Sequence, residues 1–274
     1  METIKLTVIG IVLGALTLIP GVSTGTLAIV FNVYDRLIGV ITPNIKKIFA
    51  AWKFWLPLAA GIFASLFISS KLIVWLLDNY PVPVYWFLIG VIVGSLPMVY
   101  RRTQKPASIM PSLTSLICCV LAFAVMVLMF ILNPSEEMAV YTVITPVLFG
   151  LLVLGGILSA IAMIIPGISG AFILIVIGLY RTVLQAVSDL NIMLIIPIAI
   201  GTIAGLLGGA ALVRFLLKKA PRQTYGAVLG LVAGSIIVLY PGGFGSGYTI
   251  VFSIAGLLAG GVISFFISYH KKAG

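Results

Sequence analysis

Pro20-Gly21-Val22-Ser23-Thr24-Gly25 and Pro166-Gly167-Ile168-Ser169-Gly170-Ala171 are the stretches whose reading decides the fold of this 274-residue chain. Each interrupts a long apolar segment, Ile4 to Ile38 and Tyr141 to Val187. Proline removes a backbone donor and glycine admits dihedrals that a helix does not use, so a continuous helix fails at both places. Each segment therefore reads as a helix–break–helix hairpin that enters and leaves a membrane on the same side. The two are copies. Pro20 matches Pro166 and Tyr34 matches Tyr180, both at a shift of 146 positions. Further along, Pro57 and Gly61 match Pro197 and Gly201, and Tyr85, Gly90, Gly94 and Ser95 match Tyr225, Gly230, Gly234 and Ser235, now at a shift of 140. A register sustained over most of both halves is the mark of an internal duplication.

Composition names the solvent. Of the residues, 62% are hydrophobic and 8% charged, whereas a soluble domain carries about a quarter charged residues. The surface must face lipid. Apolar runs near the spanning length cover 55–77, 84–100, 113–132, 192–217, 225–240 and 250–269. The net charge of +10 could suit nucleic acid, but the basic residues lie in short loops between apolar runs. With the N-terminus inside, of the 16 basic residues only Lys71 and Arg181 fall toward the other face, while Glu136, Glu137 and Asp189 land outside. That asymmetry predicts both termini in the cytoplasm, and no nucleic-acid partner. No cleavage site follows the first apolar run, so the whole chain is read as one mature membrane domain.

Each half then holds one hairpin and three spans. Residues 1–135 form a first repeat (hairpin 4–38) and residues 136–274 a second (hairpin 141–187). Three is odd, so the second half enters the membrane upside down. The expected fold is an all-α polytopic membrane protein of two inverted-topology repeats, each a broken, re-entrant hairpin followed by three transmembrane helices. Inverted repeats with helices broken near mid-depth are a transporter architecture. Gly10 with Gly14, and Gly90 with Gly94, read as close packing of helices through small residues.

The breaks themselves carry the chemistry. Backbone exposed at mid-depth must find partners or line a cavity. Ser23 and Ser169 are good N-caps for the helices that follow, with Thr24 or Thr26 assisting the first. A helix start offers unpaired N–H groups and a partial positive charge, the combination that holds phosphate or carboxylate. Gly21, Ser23, Thr24, Gly25, Thr26, Gly167, Ser169 and Gly170 are the candidate anion-binding residues, two tips from opposite leaflets meeting on one anion. The plainer reading is a pair of helix ends capped by serine with no ligand. Asp35, Arg36 and Arg181 follow the hairpins. Twelve residues of helix from Ser23 to Asp35 would cover roughly 18 Å, which places these charges near a surface. Arg36 and Arg181 are candidates for capturing a lipid phosphate at the two mouths, or else snorkel to headgroups.

At Pro20 to Thr26, followed by Val33-Tyr34-Asp35-Arg36-Leu37, and at the copy Pro166 to Gly170, the chain resembles the bacterial PopT family, long catalogued as a domain of unknown function. The resemblance covers essentially the whole chain. It implies a translocase returning undecaprenyl phosphate across the bacterial cytoplasmic membrane for reuse in cell-envelope synthesis. Ala171, Phe172 and Arg181 stand in the second copy where Gly25, Thr26 and Asp35 stand in the first, so the two tips are not equivalent.

Two other readings were weighed. Undecaprenyl-diphosphate phosphatases are also duplicated and also carry Pro-Gly-x-Ser hairpins. Their chemistry uses intramembrane glutamates and an arginine just after the motif serine; here Thr24 and Gly170 follow the serines, and Val8 to Ile19 and Leu151 to Ile165 contain no carboxylate. Phosphoryl transfer without base, clamp or metal ligands has little to stabilise its transition state. A carrier for a small soluble anion would want a polar stripe on several spans, and the spans offer little beyond Ser and Thr. Cys118, Cys119 and His270 form no metal-ligating pattern. No cofactor is expected, and no nucleotide motif suggests direct ATP use. Coupling to protons or sodium would draw on Asp35, the acidic residue nearest a hairpin. No oligomeric partner is legible.

Overall fold

The structure, a computed structural model, describes residues 2–17, 22–68, 70–104, 112–132 and 140–269. Gly21, Lys105, Glu136, Glu137 and the tail from His270 onward lie outside the described residues. The described chain is helical: α1 (Glu2–Thr17), α2 (Thr24–Val30), α3 (Tyr34–Val40), α4 (Ile45–Ala50), α5 (Trp52–Ile68), α6 (Ser70–Asn79), α7 (Pro81–Thr103), α8 (Leu113–Leu132), α9 (Pro146–Ile164), α10 (Gly170–Ile177), α11 (Tyr180–Ser188), α12 (Ile192–Lys219), α13 (Pro221–Leu239) and α14 (Tyr248–Tyr269).

Among the described residues six helices are long and apolar enough to cross a membrane: α7, α8, α9, α12, α13 and α14. Five coincide with spans expected from sequence. The sixth, α9, is the first arm of the second hairpin. The expected span 55–77 is helical on both sides of residue 69, in α5 and α6, and residue 69 itself lies outside the described residues. Helices α7, α9 and α13 begin on Pro81, Pro146 and Pro221, where the missing N–H costs nothing and the fixed φ suits a first turn. Half of the apolar window of α13 is buried, but only 11% of that of α8 and 17% of that of α14. The core therefore lies on α7 and α13, while α8 and α14 turn apolar side chains such as Leu121 and Val251 outward, as a lipid-facing surface requires.

The helices pack in matching pairs: α1 on α5 and α9 on α12, then α7 on α14 and α13 on α8, with α7 against α13 at the centre. Glycines let the backbones meet. A Cβ on Gly10 would overlap the Leu58 carbonyl oxygen, and one on Gly156 the Ile198 carbonyl oxygen. Gly90 sits likewise against Leu257 and Gly230 against Cys119. Close packing thus accounts for Gly10 and Gly90, and also for Gly14 against Ile62 and Gly94 against Gly261. Overpacking such a contact costs about 1–3 kcal/mol or more. Gly90→Leu is expected to lower the melting temperature of the detergent-solubilised protein by several degrees, while Gly150→Leu, where a Cβ meets nothing within 4 Å, leaves it unchanged.

The two hairpins share one backbone. Ser23 precedes α2 at φ −90°, ψ 123°, and Ser169 precedes α10 at φ −91°, ψ 127°. Each following helix is short, seven and eight residues, or roughly 10–12 Å. Each then stops at a left-handed residue, Asn32 (φ 54°) and Gly178 (φ 82°), 146 positions apart. Val33 N–H returns to the Ala28 carbonyl (2.9 Å) and Leu179 N–H to the Leu174 carbonyl (2.9 Å), closing the orphan carbonyls as helix C-termini commonly do. The axis then turns: α10 and α11 meet at 114°. This corrects the continuous 18 Å helix expected between Ser23 and Asp35. The chain bends after two turns, so Asp35 lies closer to the tip than a straight helix would put it.

Candidate functional site

The tips touch each other. Gly25 packs against the second break, where a Cβ would lie 3.1 Å from the Ile164 carbonyl oxygen and from Pro166 Cα. Thr26 Oγ1 accepts a hydrogen bond from Gly167 N–H at 2.8 Å. Tyr34, buried just beyond the Asn32 bend, donates its hydroxyl to the Ile164 carbonyl at 3.1 Å. Two segments about 140 residues apart in sequence are thereby joined by backbone-to-side-chain bonds, with Gly25, Thr26 and Gly167 all buried.

The serines are placed differently. Both sit at N-cap positions, yet neither side chain makes a capping bond. Ser23 is 5% exposed and its hydroxyl has no hydrogen-bond partner among the described residues. It borders a space of about 10 Å³ walled by Thr26, Leu27, Leu88, Ile92, Ser235 and Leu239. An unpaired buried hydroxyl costs about 1–3 kcal/mol, which a protein retains when the group is needed. The space admits one water at most, and no phosphate in this conformation. Ser169 does not line that space. It is half-buried at the start of α10, next to Gly170, whose carbonyl accepts from Ser159 Oγ at 2.9 Å. Thr24 is half-buried. The structure thus joins the tips through Thr26, Gly25 and Gly167, and leaves the two serines in separate surroundings.

Beyond the bend lies a polar network that sequence reading missed. Arg102, in the last turn of α7, donates from Nη1 to Asp35 Oδ2 (2.5 Å) and to the Tyr225 hydroxyl, and from Nη2 to Asn32 Oδ1 (2.9 Å). Tyr225 donates to Asp35 Oδ1 at 2.8 Å, and the guanidinium lies 5.0 Å from the Tyr225 ring centre. Asp35 is thereby fixed to α7 and to α13 together. Arg214 of α12 donates to the Ile38 carbonyl (2.6 Å) and to the Ile41 carbonyl, holding the C-terminal end of α3, where a cation complements the helix dipole. From sequence both arginines had the look of ordinary loop charges at span ends. The Tyr85–Tyr225 match in the repeat was the one available sign that Tyr225 mattered.

The two expected entrance arginines differ. Arg36 is half-exposed, paired with Glu2 at 2.8 Å and stacked 4.3 Å from the Phe54 ring centre. Arg181 is exposed on the first turn of α11. Among the described residues no group of three His, Cys, Asp or Glu side chains is arranged to hold a metal ion.

Residues 13–246 match a family described as undecaprenyl phosphate translocase-like. A polyprenyl-phosphate transporter of Vibrio cholerae is 30% identical over 247 residues, covering 85% of this chain and 76% of that protein. A polyprenyl-phosphate transporter of Staphylococcus aureus is 25% identical over 241 residues, covering 85% and 84%. No solved structure matches the chain.

Proposed function

Because this chain belongs to the undecaprenyl phosphate translocase-like family, we propose that it moves undecaprenyl phosphate across the bacterial cytoplasmic membrane, returning the lipid carrier for cell-envelope synthesis. It is a transporter and not an enzyme, as the names of the family and of both relatives convey. The observation that carries the mechanism is the buried, unpartnered hydroxyl of Ser23 beside the junction of the two tips. An anion that entered there would meet this hydroxyl, Thr24, Thr26 and the first N–H groups of α2. The second tip would add Gly167, Ser169 and Gly170. Helices of two turns have little dipole to offer, so hydroxyl and N–H donors carry the binding.

In this conformation the space beside Ser23 is water-sized, which suits an occluded state between two open ones. Opening requires α2 to part from α7 and α13. The two halves are read as inverted repeats that rock about the central α7–α13 contact. Three features support that reading: the matched dihedrals of the hairpins, the reciprocal pairing of α7 with α14 and α13 with α8, and equivalent buried serines, Ser95 and Ser235, each donating to the carbonyl three residues earlier. The basic residues of the short loops, 14 of 16 on one side of the expected spans, support a reading with both termini in the cytoplasm. Arg36 and Arg181 would then meet the phosphate at opposite mouths, and Asp35 would carry any proton or sodium coupling.

The test is leaflet exchange of undecaprenyl phosphate in vesicles holding the purified protein. Wild type is expected to exchange the lipid. Ser23→Ala should slow exchange about tenfold, the equivalent of one lost hydrogen bond to a charged group, and Ser169→Ala should slow it less. Wild-type vesicles with no exchange above protein-free vesicles would refute the proposal.

A further inference from the structure

A lipid whose phosphate rides at mid-depth must bring its tail out sideways through an opening in the bundle. The shape of α7 indicates where. Leu88 walls the small space beside Ser23; its neighbour Phe87 faces a second, larger cavity of about 440 Å³ between α1, α6, α7 and α14. That cavity is an open groove, almost wholly apolar, bounded by Leu16, Leu76, Tyr80, Phe87, Phe252 and Gly256. Leu16 lies in the last turn of α1, the helix that precedes the first break. The groove runs to Tyr80, at the start of α7 and thus away from the Arg102 network. From Leu88 to Tyr80 is roughly 12 Å along the chain's helical rise.

The walls are specific in kind. Trp75, Tyr80 and Phe252 form an edge-to-face chain with ring centres 5.6 Å and 6.3 Å apart. Gly256 keeps the floor low, since a Cβ there would lie 3.0 Å from the Pro83 carbonyl oxygen. Consecutive residues of α7, Phe87 and Leu88, wall the groove and the Ser23 space, which ties the occupant of the groove to the headgroup site. Resting on the transport reading above, we infer that it holds the first isoprene units of the polyprenyl tail while the phosphate is at the tips. Flat, unsaturated, methyl-branched units fit against aromatic faces and edges, and the opening of the groove lets the remaining tail stay in the bilayer.

The experiment uses full-length protein in vesicles with a polyprenyl phosphate carrying a photoreactive diazirine in its second isoprene unit. Crosslinks are expected on α6, α7 and α14 near Tyr80, Phe87 and Phe252, displaced by a tenfold excess of undecaprenyl phosphate and not by the same excess of dioleoyl phosphatidic acid. Leu76→Trp and Val84→Trp, at two residues that line the groove, should cut both crosslinking and undecaprenyl phosphate exchange about tenfold with melting temperatures unchanged. Crosslinks elsewhere, equal displacement by phosphatidic acid (an ordinary lipid slot), or wild-type exchange by folded groove-filled variants would each overturn the inference and leave the transport reading standing. Should a filled variant fail to fold, the wild-type crosslink pattern decides. Absence of exchange by the wild-type protein would instead bring down the transport reading, and this inference with it.

Discussion

Arg102→Gln is expected to slow undecaprenyl phosphate exchange tenfold or more. The guanidinium makes three bonds, to Asp35, Tyr225 and Asn32, and so ties the first hairpin to α7 and α13 at once. Hydrogen bonds to charged groups contribute about 1.5–3 kcal/mol each, less here because Asp35 is 47% exposed and Arg102 33%. A net loss of about 1.4 kcal/mol is already tenfold. Truncation also leaves Asp35 without its counter-charge. Asp35→Asn removes the charge and keeps a side chain of the same shape, so it should cost less. The double variant Asp35→Asn/Arg102→Gln should recover part of the loss, because its unpaired carboxylate is gone. Exchange by Arg102→Gln at the wild-type rate would show that the network is a bystander.

Gly167→Ala should be as severe. Gly167 has φ +92°, a conformation that costs an L-residue about 1–2 kcal/mol. An alanine Cβ would also lie 2.6 Å from the Leu231 carbonyl oxygen of α13, and backbone cannot step aside as a flexible side chain does. The second tip must move, and with it the N–H that Thr26 accepts. The expected result is a folded protein with a lowered melting temperature and exchange reduced a hundredfold. Thr26→Val tests the bond alone: the shape is kept, one buried N–H loses its acceptor, and about 1–3 kcal/mol is lost. If Gly167→Ala exchanges lipid normally, the contact between the tips plays no part in transport.

Much of this was legible in one dimension. The two Pro-Gly breaks, the spans and the duplication are written in local composition and spacing, and five of the six expected spans fall on long apolar helices. The exceptions are instructive. The bends at Asn32 and Gly178 were overlooked because Asn and Gly in an apolar run signal a left-handed turn only weakly. Arg102 and Arg214 are not distinguished in sequence from loop charges, because a basic residue at a span end has the same signature whether it anchors in headgroups or reaches inward.

The sequence by itself determined an apolar, membrane-spanning helical chain interrupted at two matching motifs, since hydrophobic length, proline and glycine act on their own stretch of backbone. Only the tertiary structure decided that Thr26 bonds to Gly167, that Asp35 meets Arg102 and Tyr225 across 67 and 190 positions, that the two serines face different surroundings, and where an open apolar groove lies. Those pairings depend on which helix faces which, and that is set by the close fit of whole surfaces at glycine contacts, a property that no single stretch of chain contains.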